Sequence, residues 1–392
     1  MRIQGKKTTT FLLILSQFLG TSLWFVGNIS IPQLPIPEAQ NSAAISNVLS
    51  AVQFGFILGT LVFAFFLIAD RFSPSRVFMI SALLAAVCNL GLLLPHLDFY
   101  IILNFRFLTG FFLAGIYPVG MKIAADYYKE GLGKTLGYLV GALVMGTALP
   151  HFLNSLGLRF DYTKITWITS LLAVSGGFLV GFYIPDGPFR EKQQRFKWNA
   201  FAVLFRNNGF RKAAYGYFGH MWELYAFWAF LPVFIHFYNI QNSTEINVAL
   251  WSFLIIAVGA VSCAGGGHLS LKWGSKKVAA VSLGISGFCC VISPIAVILP
   301  SPVFLAVMLL WGAAVVSDSP QFSRMVAANT APETRGSALT LVNCIGFGIS
   351  VVSIQFLGYL PESFSTQYSY LILAIGPVLG LWKMGGFRLK TE

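Results

Sequence analysis

Inside the long apolar stretches of this sequence only a handful of side chains can hold a charge or pass a proton, and several share a spacing. His220 and Glu223 lie three residues apart, and Asp318 and Gln321 repeat that interval, with Arg324 three residues further on. Residues three or four apart are neighbours on one helix face. Arg106 and Lys122 are cations in similar surroundings. An ionisable group in hydrocarbon costs at least roughly 2.5–3.5 kcal/mol, so each needs a partner or a task. One reading has Glu223, together with His220, taking up and releasing a proton. A carboxyl removed from water favours its neutral form, and imidazole changes charge near neutral pH. Arg106 would then compensate the charge on Glu223 or hold an anionic group of a solute. The other reading makes these groups static pairs between helices, such as Asp318 with Arg324, or Lys122 across the interior. Glu223 and Arg106 are read as functional, and for Asp318 and Gln321 both readings stay open. Lys122 and Arg324 sit near helix ends, where a long side chain can reach the interface. His151, beside Pro150, reads as a hydrogen-bonded helix-end residue.

The elements that must position these groups are membrane helices. The chain has 392 residues, of which 56% are hydrophobic and 10% charged, and its mean hydropathy is +0.73. A soluble domain is roughly 45–50% apolar and about a quarter charged. Apolar runs of at least about 18 residues recur along the chain, the length that crosses a bilayer as a helix, and they lack the alternation of a membrane barrel. The fold class is therefore all-α and membrane-embedded, with twelve helices near residues 9–30, 43–68, 77–95, 100–124, 135–155, 165–184, 213–238, 247–271, 278–298, 303–325, 337–359 and 368–386. The run from Phe11 to Asn28 has no cleavage pattern and reads as a retained first span.

The charge of +12 follows topology, which argues against a nucleic-acid partner. One set of loops carries Arg71, Arg76, Lys129, Lys134, Lys272, Lys276, Lys277 and Arg335, and the opposite set carries Arg159 and Lys164 alone. The positive-inside rule then puts both termini in the cytoplasm. Residues 185–212 form a basic cytoplasmic linker in which Trp198 to Phe205 reads as a short amphipathic helix. It separates an N-terminal six-helix bundle (1–184) from a C-terminal one (213–392). Weak repetition links the halves: Pro118 precedes Lys122 by four residues, Pro320 precedes Arg324 by four, and Phe18-Leu19-Gly20 and Phe218-Gly219 open the first and seventh spans near Trp24 and Trp222. Paired half-repeats of this kind are a transporter design.

The loop Ala69-Asp70-Arg71-Phe72-Ser73-Pro74-Ser75-Arg76 resembles the loop signature of the major facilitator superfamily, with Ser73 where glycine is usual. Gly267, Gly274, Lys276 and Lys277 match the second-half equivalent, with Leu271 where an acid is expected. Arg106-Phe107-Leu108-Thr109-Gly110 resembles the family's Arg-x-x-x-Gly motif. The resemblance implies a secondary transporter in which spans one, four, seven and ten line a central cavity. It makes Trp24, Tyr117, Trp222 and Tyr225 cavity-wall candidates and gives Asp70, Arg71 and Arg76 a gating role. Gly137, Gly141 and Gly146 lead to Pro150 without the Gly-Pro pair of the antiporter signature. Asn343, Gly346 and Gly348 fall short of the nitrate-porter signatures.

The expected function is alternating-access movement of a small organic solute, coupled to protons or to sodium in their place, by a monomer in a bacterial inner membrane. Arg106 would suit an anion, whereas the acids and aromatics would suit a cationic or amphipathic molecule. The alternatives are an uncoupled facilitator, a channel-like pore, or a receptor or scaffold that moves nothing. No HExxH or Walker-type motif points to an enzyme or an ATP-driven pump. The five cysteines (Cys88, Cys263, Cys289, Cys290 and Cys344) show no metal spacing, so no cofactor or metal is expected. Asn28-Ile29-Ser30 and Asn242-Ser243-Thr244 fit glycosylation sequons.

Overall fold

The computed structural model describes residues 6–30, 33, 42–128, 132–157, 161–190, 204–331, 334–360 and 365–385. Its contacts divide the chain into two compact units, Met1–Arg195 and Phe196–Glu392.

The first unit contains α1 (Lys6–Thr21), α2 (Val26–Ser30), α3 (Ser42–Phe65), α4 (Ile68–Arg71), α5 (Pro74–Leu90), α6 (Phe99–Leu113), α7 (Tyr117–Tyr127), α8 (Leu132–Ser155) and α9 (Tyr162–Tyr183). The second contains α10 (Asn208–Asn242), α11 (Val248–Trp273), α12 (Ser275–Ala296), α13 (Ser301–Ser317), α14 (Ser319–Ala328), α15 (Arg335–Gly358), α16 (Thr366–Ser369) and α17 (Ile375–Met384). A 3₁₀ turn, Tyr370–Ala374, joins the last two. Among the described residues, ten helical stretches are long and apolar enough to cross a membrane. The other two spans are α10, whose tyrosines, tryptophans, histidines and Glu223 dilute its hydropathy, and the last one, which is divided into short pieces. The expected helix at Trp198–Phe205 lies outside the described residues except for Leu204 and Phe205.

Polar residues just before the apolar runs start several helices. Asp98 accepts the amide of Ile101, Asp161 that of Lys164 and Asn247 that of Leu250, each filling an N-terminal donor left without a helical partner. Three spans are broken where a site would need them to bend. The first opens between Thr21 and Val26, the fourth between Leu113 and Tyr117, and the tenth at Asp318. Pro118 and Pro320 stand in the first turns that follow the last two breaks. There a missing N–H removes no helical hydrogen bond.

Glycine sets the closest helix approaches in each unit. A Cβ at Gly110 of α6 would stand 1.9 Å from the Val52 carbonyl of α3, and one at Gly312 of α13 would stand 2.0 Å from the Ile255 carbonyl of α11. Small residues that bring backbones together replace the hydrophobic drive that lipid cannot supply. Gly110→Ala is therefore expected to lower stability by roughly 1–3 kcal/mol through overpacking. Gly265→Ala, where a Cβ meets nothing within 4 Å, is expected to leave the melting midpoint unchanged or raise it. Thermal melting of the two purified variants checks the contrast.

Candidate functional site

In the first unit the break in span one leaves backbone carbonyls that no helix turn can satisfy. Arg106 on α6, fully buried, supplies the donors. Its Nη2 reaches the carbonyls of Leu23 and Trp24, each at 2.8 Å, and its Nη1 donates to Asn89 Oδ1 at 2.9 Å. Asn89 on α5 in turn donates to Ser170 Oγ at 2.9 Å and to the Thr166 carbonyl at 3.3 Å. The guanidinium thus joins spans one, three, four and six, and none of its described partners is a carboxylate. Gly27 allows the approach, since a Cβ there would stand 2.8 Å from Arg106 Nε.

The second unit holds two buried acids. Glu223 is fully buried on α10, about 22 Å along the helix from its start and about 28 Å from its end. Trp311 Nε1 donates to its Oε1 at 2.6 Å and Cys290 Sγ to the same oxygen at 3.3 Å, while Ser286 Oγ donates to Oε2 at 2.9 Å. These donors come from α12 and α13 and are neutral. Among the described residues Glu223 forms no ion pair.

Asp318 sits at the break between α13 and α14. His220 Nδ1 stands 2.8 Å from Asp318 Oδ1, and both side chains are fully buried. The pair is an ion pair only when the imidazole is protonated. Rings of Tyr217 and Phe322 flank the imidazole, with centroids 5.8 Å and 6.2 Å away. Tyr217 donates from its hydroxyl to Asn343 Oδ1 at 2.7 Å. Gln321, buried one turn along α14, has an unpartnered Oε1.

These contacts revise several sequence expectations. His220 and Glu223 share a helix but take different partners. Arg324 is not the counter-ion of Asp318; it donates to Ser270 Oγ at 3.4 Å. Lys122 does not pair across the interior but lies 2.7 Å from Asp70 Oδ1 at the end of α4, with Asp126 3.9 Å away. Arg190, just past α9, adds to that cluster. It meets Asp186 at 2.7 Å and donates to the carbonyls of Asp70 and Phe72 at 2.8 and 2.7 Å, while Ser73 donates to Asp186 at 2.5 Å. Arg71 and Arg76 are exposed. Trp24 and Tyr225 are buried in ring contacts, Trp24 with Phe56 at 5.0 Å and Tyr225 with Phe347 at 5.2 Å. Tyr117 and Trp222 are half-buried, and Trp222 donates to the Ile372 carbonyl at 3.1 Å. Sequence reasoning missed Asn89, Trp311, Ser286, Cys290 and Arg190. The legible hints were an asparagine inside an apolar span and an arginine beside the Pro185-Asp186-Gly187 break.

Among the described residues no cluster of His, Cys, Asp or Glu could hold a metal ion.

A family model described as the Major Facilitator Superfamily matches residues 13–353 of the chain. Among solved structures 299 chains match. One is a crystal structure of a mutant form of the nucleoside transporter NupG. It superposes with a TM-score of 0.72 at 17% sequence identity, and the match covers 97% of this chain and 100% of that one. No curated protein matches.

Removing the Arg106 guanidinium strands two carbonyls and Asn89 in a fully buried site. Hydrogen bonds to a charged group contribute about 1.5–3 kcal/mol each, so Arg106→Met is expected to cost roughly 3 kcal/mol or more. Arg106→Lys should recover only part of that, because an ammonium lacks the fork that serves several acceptors at once. Denaturation of the two variants in matched detergent measures both effects.

Proposed function

Because the chain belongs to the Major Facilitator Superfamily of secondary transporters, we propose that it carries a small solute by alternating access, with proton movement coupled through Glu223. The observation that carries this reading is the setting of that carboxyl. It lies near mid-length of a membrane helix, fully buried, held by Trp311, Ser286 and Cys290 and, among the described residues, by no cation. A carboxylate locked to an arginine has to break an ion pair before it can accept a proton. One held by neutral donors can change charge with smaller rearrangement. His220 and Asp318 form a second buried polar pair, with His220 about one turn from Glu223 along α10.

Arg106 acts at a distance in this account. By holding the carbonyls of the broken first span it fixes where that span bends. Trp24, Tyr117, Trp222 and Tyr225 are assigned to the solute pathway's walls, and Gln321 to solute contact. Asp70, with Lys122, Arg190 and the neighbouring Arg71 and Arg76, is assigned to a cytoplasmic gate, since breaking ion pairs is the chemistry of a two-state latch. The protein is placed in a bacterial inner membrane with both termini cytoplasmic, as a monomer.

Two experiments test this. In proteoliposomes that enclose a pH-sensitive dye, solute addition is expected to move protons through the wild-type protein. Glu223→Gln should abolish that movement while solute exchange persists; proton movement of wild-type size in the variant sinks the assignment. At the gate, Asp70→Lys and Lys122→Asp are each expected to cut transport tenfold or more, and the double variant should recover much of it. A double variant no better than either single removes the latch.

A further inference from the structure

We infer that His220, Asp318 and Gln321 form the polar floor of a solute site that receives a molecule presenting hydrogen-bond donors and carrying no negative charge. The inference rests on the transport reading above and deepens it from proton to solute.

The first support is a set of unmatched acceptors. His220 Nε2, Asp318 Oδ2 and Gln321 Oε1 are buried with no hydrogen-bond partner among the described residues. In the neutral tautomer that carries its proton on Nδ1, His220 Nε2 is an acceptor, and the carboxylate and amide oxygens are acceptors as well. Buried polar groups are nearly always paired, and those left unmatched call for an explanation.

The second support is local. Asp318-Ser319-Pro320-Gln321 has the spacing of a capping box, in which the first and fourth side chains would satisfy backbone donors at the helix start. Only part of that pattern is realised. Asp318 has helical backbone angles (φ −80, ψ −25) and makes no side-chain cap bond to the later amides; its carboxylate lies against its own amide and that of Ser319 and faces His220. Pro320 removes one further N–H that could have used these oxygens. Gln321 Oε1 closes no box and is left presented at the start of α14.

The third support is charge. Among the described residues of the second unit, the buried acidic and basic side chains are His220, Glu223 and Asp318, with no buried lysine or arginine. An anion brought here would meet two acids and no fixed cation. Arg106, in the other unit, already serves two carbonyls and an asparagine. The aromatic rings of Tyr217 and Phe322 beside His220 accept a neutral molecule and favour a cationic one, since a ring face attracts positive charge.

The test uses the full-length protein and five radiolabelled probes: glucose and uridine as neutral donors, putrescine as a cation, succinate and benzoate as anions. Uptake into proteoliposomes is measured for the wild type and for Gln321→Met, which keeps the side-chain volume and removes the amide. Melting of both proteins is followed without solute. A neutral or cationic probe is expected to accumulate and the anions to stay out. Gln321→Met should raise the half-saturating concentration tenfold or more while its melting midpoint is unchanged or higher, because an unmatched acceptor is gone. Accumulation of succinate or benzoate overturns the solute class and leaves transport standing. A clear fall in the midpoint of Gln321→Met without solute means that Oε1 is already satisfied, by water, and overturns the site. If no probe of any class crosses, the transport reading falls too, a result distinct from the other two.

Discussion

Hydrocarbon offers no hydrogen-bond partner, so any polar group inside the bilayer must be satisfied by the protein itself. A continuous helix meets that demand automatically, whereas a broken one does not. Spans one, four and ten are all broken, and the protein's most unusual buried side chains stand at or beside two of those breaks. Thr21 and Ser22 turn their hydroxyls back to the carbonyls of Gln17 and Leu19, and Arg106 takes those of Leu23 and Trp24. At the tenth span the break falls on Asp318, and the compensation there is left unfinished. That contrast separates a break built to hold its shape from one built to receive something.

The two units handle buried charge differently. In the first, the buried guanidinium is surrounded by backbone and amide acceptors, and the acids near the helix ends pair with Lys122 and Arg190. Among the described residues Arg106, Lys122 and Arg190 each have fixed acceptors, which suits a scaffold and a latch. In the second, Glu223 rests on neutral donors and Asp318 faces His220. These are arrangements in which a proton can be gained or lost without stranding a permanent ion. The cost of burying a lone charge becomes a means of coupling, because the favoured protonation state depends on how much water reaches the site. In the proposed transport cycle, alternating access is what changes that exposure.

The span pattern was legible because it depends on local quantities. Apolar length, capping residues such as Asp98 and Asn247, and prolines after a break act within a turn or two of chain. The weakest hydropathy signal fell on α10, where aromatic and ionisable residues that bury well lower the average; it is also the helix that carries Glu223. Partnerships were not legible. Spacing put His220 with Glu223 and Asp318 with Arg324, since it can compare only neighbours on one helix. The partners of Glu223 lie 63, 67 and 88 residues away in sequence, and Arg106 finds Asn89 on an adjacent helix. Lys122 was read as a side chain reaching for the interface, which holds for its position, but the interface there contains Asp70.

The central claim is that Glu223 exchanges a proton while remaining in the membrane interior. Infrared difference spectroscopy of the reconstituted protein, cycled between acidic and alkaline buffer, reads the C=O stretch of a protonated carboxyl directly. The account requires a reversible band in that region that disappears in Glu223→Gln and survives in Asp318→Asn. A band that persists in Glu223→Gln, or no reversible carboxyl band in the wild type, would contradict it.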